Sequence, residues 1–212
     1  MTADFWDQRY ADRKYVYGVE PNAFLTRQRH RLDRGMSVLA VADGEGRNGV
    51  WLASHGMRVH AVDYSAVALQ KAMRLALDRG VTLRTTCADL TDWTWPTAAY
   101  DAVVCLFLHL GPEHRAAVHR AMAGALAPGG LLIMEAFHPA QLRYGTGGPP
   151  NAEMLYDPDT LAADFGGLLD IDVLEDGETD LDEGAHHQGR AHTTRLVGRA
   201  PMAETRPDAT AR

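Results

Sequence analysis

Met36-Ser37-Val38-Leu39-Ala40-Val41-Ala42-Asp43-Gly44-Glu45-Gly46-Arg47-Asn48-Gly49-Val50-Trp51-Leu52 decides how the chain is read. The apolar run Val38 to Ala42 reads as a buried strand, Gly44 and Gly46 as a turn, and Val50, Trp51, Leu52 and Ala53 as the start of a helix. Strand, glycine turn and helix form the unit with which α/β proteins bring backbone against a nucleotide-like ligand, the free N–H groups of the helix aimed at it. A G-x-G turn also serves as a plain strand-to-helix link, so the next segment carries weight. Val59-His60-Ala61-Val62-Asp63 is a second apolar run and ends in a carboxylate. Asp63 lies about 20 residues past the turn, where an acid accepts hydrogen bonds from ribose hydroxyls. Gly44-x-Gly46 is followed by Arg47, without the third glycine that a pyrophosphate requires. The pattern suits a ligand with an adenosine and an amino-acid end but no phosphate.

Outward from this stretch the pattern alternates. Strand 38–42 leads to helix 47–55, strand 59–62 to helix 66–78 closed by Gly80, and strand 81–85 to a loop, 88–96, with Asp89, Trp93 and Trp95. Strand 102–108 leads to helix 113–126, and Pro128-Gly129-Gly130 launches strand 131–136. Such alternation predicts an α/β protein with a doubly wound, mostly parallel sheet. Before it, residues 3–34 contain a helical spacing of Phe5, Trp6 and Tyr10, an aromatic loop from Tyr15 to Asn22, and a helix from Ala23 to about Leu32. They are expected to form a helical cap over the site. After it come a Gly/Pro-rich loop, 138–156, a short helix, 158–165, and strands 169–174 and 193–197 around a polar connection. Two strands joined without a crossover helix should be antiparallel. Residues 1–199 thus read as one domain. The tail from Ala200 to Arg212 is small, charged and proline-containing, and is expected to be disordered.

The 212 residues suit a single α/β domain with a full core. Against 28 Asp and Glu stand 21 Lys and Arg, a formal charge of −7. A nucleic acid partner wants a basic face, so none is expected. The group Arg27, Arg29, Arg31 and Arg34 reads as a solvated helix face. The longest apolar run, 102–108, is far too short to cross a bilayer, and the N-terminus lacks the basic and apolar regions of a secretion signal. A cytoplasmic protein without a membrane partner is expected. Cys87 and Cys105 form no C-x-x-C and read as buried reduced thiols. No metal is expected: His186-His187 lacks a third ligand at a recognisable spacing and reads as a hairpin loop.

Several segments together resemble the class I S-adenosylmethionine (SAM)-dependent methyltransferases. These are Phe5-Trp6-Asp7-Gln8-Arg9-Tyr10, Tyr17-Gly18-x-x-Pro21-Asn22, Gly44-Glu45-Gly46-Arg47-Asn48, Ala61-Val62-Asp63-Tyr64-Ser65, Ala88-Asp89-Leu90 and Leu126-x-Pro128-Gly129-Gly130. The resemblance runs from Phe5 to about Arg199 and is nearest to the small-molecule branch of tellurite-resistance and thiopurine type. It implies a Rossmann-like sheet with a terminal antiparallel strand, SAM as cofactor, and methyl transfer. It also implies roles for residues. Asp63 accepts from both ribose hydroxyls, Tyr64 flanks the adenine, and Asp89 accepts from the adenine amino group beside the Leu90 N–H. Ala42, Gly44 and the turn backbone pass under the methionine part, and the Leu106 carbonyl approaches its amino group. Arg47 either pairs with the SAM carboxylate or lies on the surface. Tyr17 and Asn22 join the cofactor set from the aromatic loop. The family usually has an acid where Ala40 stands and a glycine where Ala42 stands; Asp43 is the expected substitute for that acid.

The acceptor is implied to be a small molecule with a soft sulfur, selenium or tellurium nucleophile, or an amine. Candidate acceptor-side residues are Tyr15, Tyr17, Asn22, His109, His138, Tyr144 and His186-His187, with His109 and His138 the expected bases for any nucleophile that must lose a proton. Tyr144-Gly145-Thr146-Gly147-Gly148-Pro149-Pro150 is expected to be a mobile cover. Three alternatives stay open: an oxygen or nitrogen methyltransferase of a secondary metabolite with a histidine base, a SAM-binding protein without catalysis, and a nicotinamide enzyme on a similar sheet.

Overall fold

A computed structural model describes residues 2–184 and 186–203. Seven strands and six α-helices follow one another: α1 (Ala3–Tyr10), α2 (Ala23–Arg27), β1 (Ser37–Val41), α3 (Arg47–Ser54), β2 (Arg58–Asp63), α4 (Ala66–Asp78), β3 (Arg84–Cys87), β4 (Tyr100–Leu106), α5 (Pro112–Ala125), β5 (Leu126–Phe137), α6 (Pro158–Phe165), β6 (Asp170–Asp182) and β7 (Gln188–Arg199). They form one sheet in the order β3-β2-β1-β4-β5-β7-β6. The first five strands are parallel, and β7 runs antiparallel between β5 and β6. The chain builds outward from β1 in one direction and returns through β4 in the other. The crevice therefore opens beyond the carboxyl ends of β1 and β4, at the switch point.

The pleat divides the core. Leu39, Val41, Val103, Cys105, Leu132 and Met134 face α5 and α6, where Met122, Leu161 and Phe165 meet them. Val38, Ala40, Ala102, Val104, Leu131 and Ile133 face the other side, against Phe24, Leu25 and Leu52. A strand covered on both faces reads as an unbroken apolar run, which is why β1 was visible in the sequence.

Several boundaries differ from the sequence reading. The third strand begins at Arg84, because Val81 and Leu83 spend their side chains on Val50, Leu75 and Ala76 before the backbone joins β2. The second helix ends at Arg27 and a 3-10 turn, Arg29–Arg31, follows, so the arginine group is not one helix face; Arg31 pairs with Asp172 at 2.8 Å. The final hairpin is far longer than expected, because β6 alternates polar residues on an exposed edge strand, a pattern without an apolar signal. Cys105 is buried as expected, with its thiol pushed up to about 12 by burial, but Cys87 is exposed. No described helix is long and apolar enough to cross a membrane. Of the tail, residues 204–212 lie outside the described residues.

The N-terminal residues are tied to α4. Asp7 accepts from the Ser65 hydroxyl and from the Val67 N–H at 3.3 Å, at the start of α4. Lys71, one turn further on, donates to the carbonyls of Tyr10 (3.3 Å), Asp12 (2.8 Å) and Lys14 (2.7 Å), and its ammonium pairs with Glu45. Glu45 in turn accepts from the backbone of Val16 at 2.7 Å and Tyr17 at 3.4 Å. One buried carboxylate inside the glycine turn thus fixes the aromatic loop, and one lysine closes the clasp. Gly46, at φ +86°, is required here: a Cβ would stand 2.6 Å from that of Ala72 on α4.

Lys71→Met keeps the stem and removes the clasp, leaving the Glu45 carboxylate buried without its cation. A loss of about 3–5 kcal/mol follows from breaking such a pair, measurable by chemical denaturation, with faster amide exchange at Val16 and Tyr17; unchanged exchange at both would contradict the clasp. Ala42, where the glycine is missing, adopts φ +51°, a conformation that costs an L-residue about 1–2 kcal/mol. Ala42→Gly should raise the melting temperature by about 1–4 °C once the added chain entropy of glycine is subtracted. A fall would show that the methyl group contributes packing that outweighs its strain.

Candidate active site

A cleft of about 960 Å³ opens over the carboxyl ends of β1, β2 and β4. This size lies at the upper end for pockets that take small ligands. Its floor is the turn after β1. Asp63, the last residue of β2, reaches across it: Oδ2 accepts from the Gly44 N–H at 2.8 Å and Oδ1 from the Ser65 N–H at 2.9 Å. Burial pushes this carboxyl up, and the N–H groups of Ser65, Gly44 and Tyr64 pull partly against that. Each oxygen keeps a lone pair for a further donor. Tyr64 and Asp89 flank the cleft beyond it; the Asp89 charge raises the Tyr64 hydroxyl. Asp89 itself is held below the usual carboxylate range, first by the Thr91 hydroxyl at 2.6 Å. Trp6, Tyr10 and Tyr17 close the near wall from the N-terminal cap. On the far wall β4 ends at Leu106, and Phe107, at φ +60°, turns the chain while its N–H donates to the Glu135 carbonyl at 2.8 Å.

Of the expected residues, Tyr17, Ala42, Asp43, Gly44, Arg47, Asp63, Tyr64, Asp89, Leu90, Leu106 and His109 line this cleft, and Asn22 and His138 do not. Four placements differ from the roles anticipated. Asn22 is buried beneath the cleft, where its side-chain oxygen caps α2 through the Leu25 N–H at 2.8 Å. Its amide nitrogen donates to Glu135 at 2.6 Å and to Glu183 at 3.0 Å. His138 follows Phe137, whose side chain takes the cleft side, so pleating sends the next residue away; its ring stacks on His192 at 4.4 Å. Asp43 turns its carboxylate toward the start of α3, Oδ1 accepting from the Gly49 N–H at 3.0 Å. Its Oδ2 is buried with no partner among the described residues, and burial pushes this carboxyl up to about 7. Arg47 is buried, not on the surface, and pairs with Glu183 at 2.7 Å.

His109 lines the cleft, but both ring nitrogens are committed. Nδ1–H donates to the Met154 carbonyl at 2.8 Å, and Nε2 accepts from the Phe137 N–H at 3.3 Å. Burial holds this imidazole down at about 4, so it is neutral near pH 7. A base needs a free lone pair, and His109 keeps one only if the Phe137 bond breaks.

Sequence reasoning missed the layer below. Glu135 on β5 accepts from Arg195 at 2.7 Å, from Thr193 at 3.0 Å and from Asn22. Glu183, at the β6–β7 turn, takes Arg47, Asn22 and the His187 side. Burial would raise Glu183, yet His187 and Arg47 outweigh it and hold it down at about 2. The turn is brought there by Gly184, at φ +81°, which packs so closely on Val16 that a Cβ would stand 2.5 Å from its carbonyl oxygen. Apart from His187, four residues from Glu183 on the same turn, these partners lie far apart in sequence, so only the fold could unite them.

The donor set fits SAM: a carboxylate for vicinal hydroxyls, aromatic walls and a bent backbone. Residues 38–130 match the family model of a methyltransferase domain. No curated protein sequence matches the chain. Among solved structures, one from work on the conversion of a disulfide bond into a thioacetal group during echinomycin biosynthesis is 19% identical, with a TM-score of 0.75, covering 96% of this chain and 94% of that one. The N-methyltransferase NodS from Bradyrhizobium japonicum WM9, solved with S-adenosyl-L-homocysteine, is 15% identical, with a TM-score of 0.69 and coverages of 94% and 98%. TehB from Haemophilus influenzae is 13% identical, with a TM-score of 0.68 and coverages of 93% and 66%. At such identities the likeness is one of fold, and it does not single out the tellurite branch. Residues 38–130 thus match a methyltransferase domain, and the sheet and cleft around them have the fold of SAM-dependent methyltransferases, consistent with a methyltransferase that uses S-adenosylmethionine.

Proposed function

We propose that this methyltransferase serves a small-molecule acceptor whose nucleophile is a soft sulfur, selenium or tellurium atom, or an amine. When bound, SAM supplies an electrophilic methyl group on a sulfonium. The protein's part is to align the acceptor and exclude water. Asp63 would hold the ribose, Tyr64 and Asp89 the adenine, and the backbone of Ala42, Gly44 and Leu106 the methionine end. Arg47 reaches the floor only through its pair with Glu183, so a SAM carboxylate would have to share it.

The observation that carries the small-molecule reading is the shape of the cleft. The cap helix α1 walls it on one side and the segment 145–150 on the other, and the aromatic rings of Phe107 and Phe137 line it. A polymer would need an open, basic groove. Here Asp63, Asp89, Glu113 and Glu153 line the cleft against Arg9, and the charge of Arg47 on its floor is neutralised by Glu183. That balance also favours a neutral acceptor over an oxyanion. Neither expected base is free in this arrangement, which favours a nucleophile that attacks without help from His109 or His138.

The test is incubation with SAM and a mixed panel of thiols, selenols, amines, phenols and short DNA and RNA strands, read by mass spectrometry. A one-methyl mass gain is expected on a thiol, selenol or amine. Methylation confined to the nucleic acids, or to the phenols, would overturn the proposal.

A further inference from the structure

The tip of the β6–β7 hairpin places one imidazole in the cleft under different terms from His109. His187 lines the cleft, and its ring lies against Tyr17 at 4.6 Å, Phe107 at 4.7 Å and Phe137 at 5.2 Å between centroids. Its buried Nδ1 stands 3.6 Å from Oε2 of Glu183, just beyond hydrogen-bond distance and with no other partner among the described residues, so the carboxylate faces it as a charge. The Glu183 carboxylate cannot swing away, because Arg47 and Asn22 grip it from two other elements. A carboxylate on the Nδ1 side favours the tautomer that carries its proton on Nδ1, which a small approach to hydrogen-bond distance would lock, and leaves the Nε2 lone pair for the acceptor.

We infer that His187, oriented by Glu183, is the proton acceptor of the acceptor subsite, and that the acceptor is a small apolar thiol. This rests on the methyl-transfer reading above. The acceptor sulfur gives its proton to His187 Nε2 and forms the new carbon–sulfur bond; the methyl carbon's old bond breaks, and its electron pair stays on the departing thioether sulfur. The resulting imidazolium keeps its Nδ1–H toward the ionised Glu183. A thiol is selected by matching. Thiols ionise about 2 units above an imidazole, whereas phenols and ammonium groups lie about 3.5 or more above it. The apolar rings around His187 suit an uncharged acceptor body.

The charged and titratable groups facing His187 are Glu183 and His186 on its own hairpin, Arg47 from α3, Tyr17 from the aromatic loop and His109 beyond β4. Burial lowers the His187 imidazole and Glu183 pulls it back up, so the base form is the one present at and above neutral pH.

The test uses the whole protein and three readouts. Nitrogen NMR of labelled histidines should show His187 as the Nδ1–H tautomer at pH 7.5 and lose that tautomer preference in Glu183→Gln; an Nε2–H tautomer would overturn the inference. Calorimetry with SAM should give the same dissociation constant for wild type and His187→Gln, so that loss of donor binding is told apart from loss of the base. With SAM and benzyl mercaptan, wild type should methylate sulfur, and His187→Gln should lower kcat about a hundredfold or more near pH 6.5. The deficit should shrink as rising pH ionises the thiol in solution. A wild type that binds SAM yet leaves the thiol untouched, or a deficit constant with pH, would overturn it.

Discussion

Asp63 holds two chain reversals with one buried carboxylate. Its oxygens accept the first N–H of the glycine turn and the N–H that opens α4, so the carboxyl ends of β1 and β2 cannot drift apart. A carboxylate in this position is expensive: burial opposes its charge, and only the surrounding N–H groups make it tolerable. A protein without need of an acceptor there would be better served by an uncharged side chain. The cost becomes intelligible once the free lone pairs face hydroxyls of a bound ribose.

The rest of the site is hung on a second set of buried charges. Glu45 ties the aromatic loop and, through Lys71, the end of α1 and the residues after it. Glu183 ties α3, α2 and the long hairpin. Both carboxylates sit where three elements meet, and both are met by a cation as well as by neutral donors. Such networks stabilise only when every member is satisfied. Their benefit is positional, since they bring the N-terminal cap and the C-terminal hairpin, 160 or so residues apart in sequence, against each other at one cleft. Asp43 is less well met: one of its oxygens has no partner among the described residues, as His187 Nδ1 has none within hydrogen-bond distance. It spends its other oxygen on the N-terminus of α3, a capping role that offsets the burial only in part.

The alternating core was legible because each parallel strand is covered on both faces and each helix carries its own apolar stripe. Helix α4 was read to the residue because Ser65 caps it and apolar spacing runs unbroken to Leu77. The same logic failed at β6, whose exposed face alternates acids and threonine, and at β3, whose apolar residues are spent before the strand begins. Within the site, the residues at strand ends were found where expected, because topology alone puts them there. The side chains of Asn22, Asp43 and His138 point otherwise than anticipated for one shared reason: sequence places a residue at a strand or helix end but not the direction of its side chain. Glu45 carries no spacing signal, and Glu183 only the local one to His187, since their other partners are set by tertiary contact.

The central claim is that the crevice over β1 and β4 binds SAM through Asp63, and calorimetric titration of wild type and Asp63→Asn tests it most directly. The asparagine keeps the volume but gives up the charge and sets an amide against donors. SAM should bind wild type with a dissociation constant at least about a hundredfold lower than the variant, close to 3 kcal/mol for two charge-assisted hydrogen bonds, while the variant's folded signal in circular dichroism stays intact. Equal affinities in two folded proteins would contradict the account.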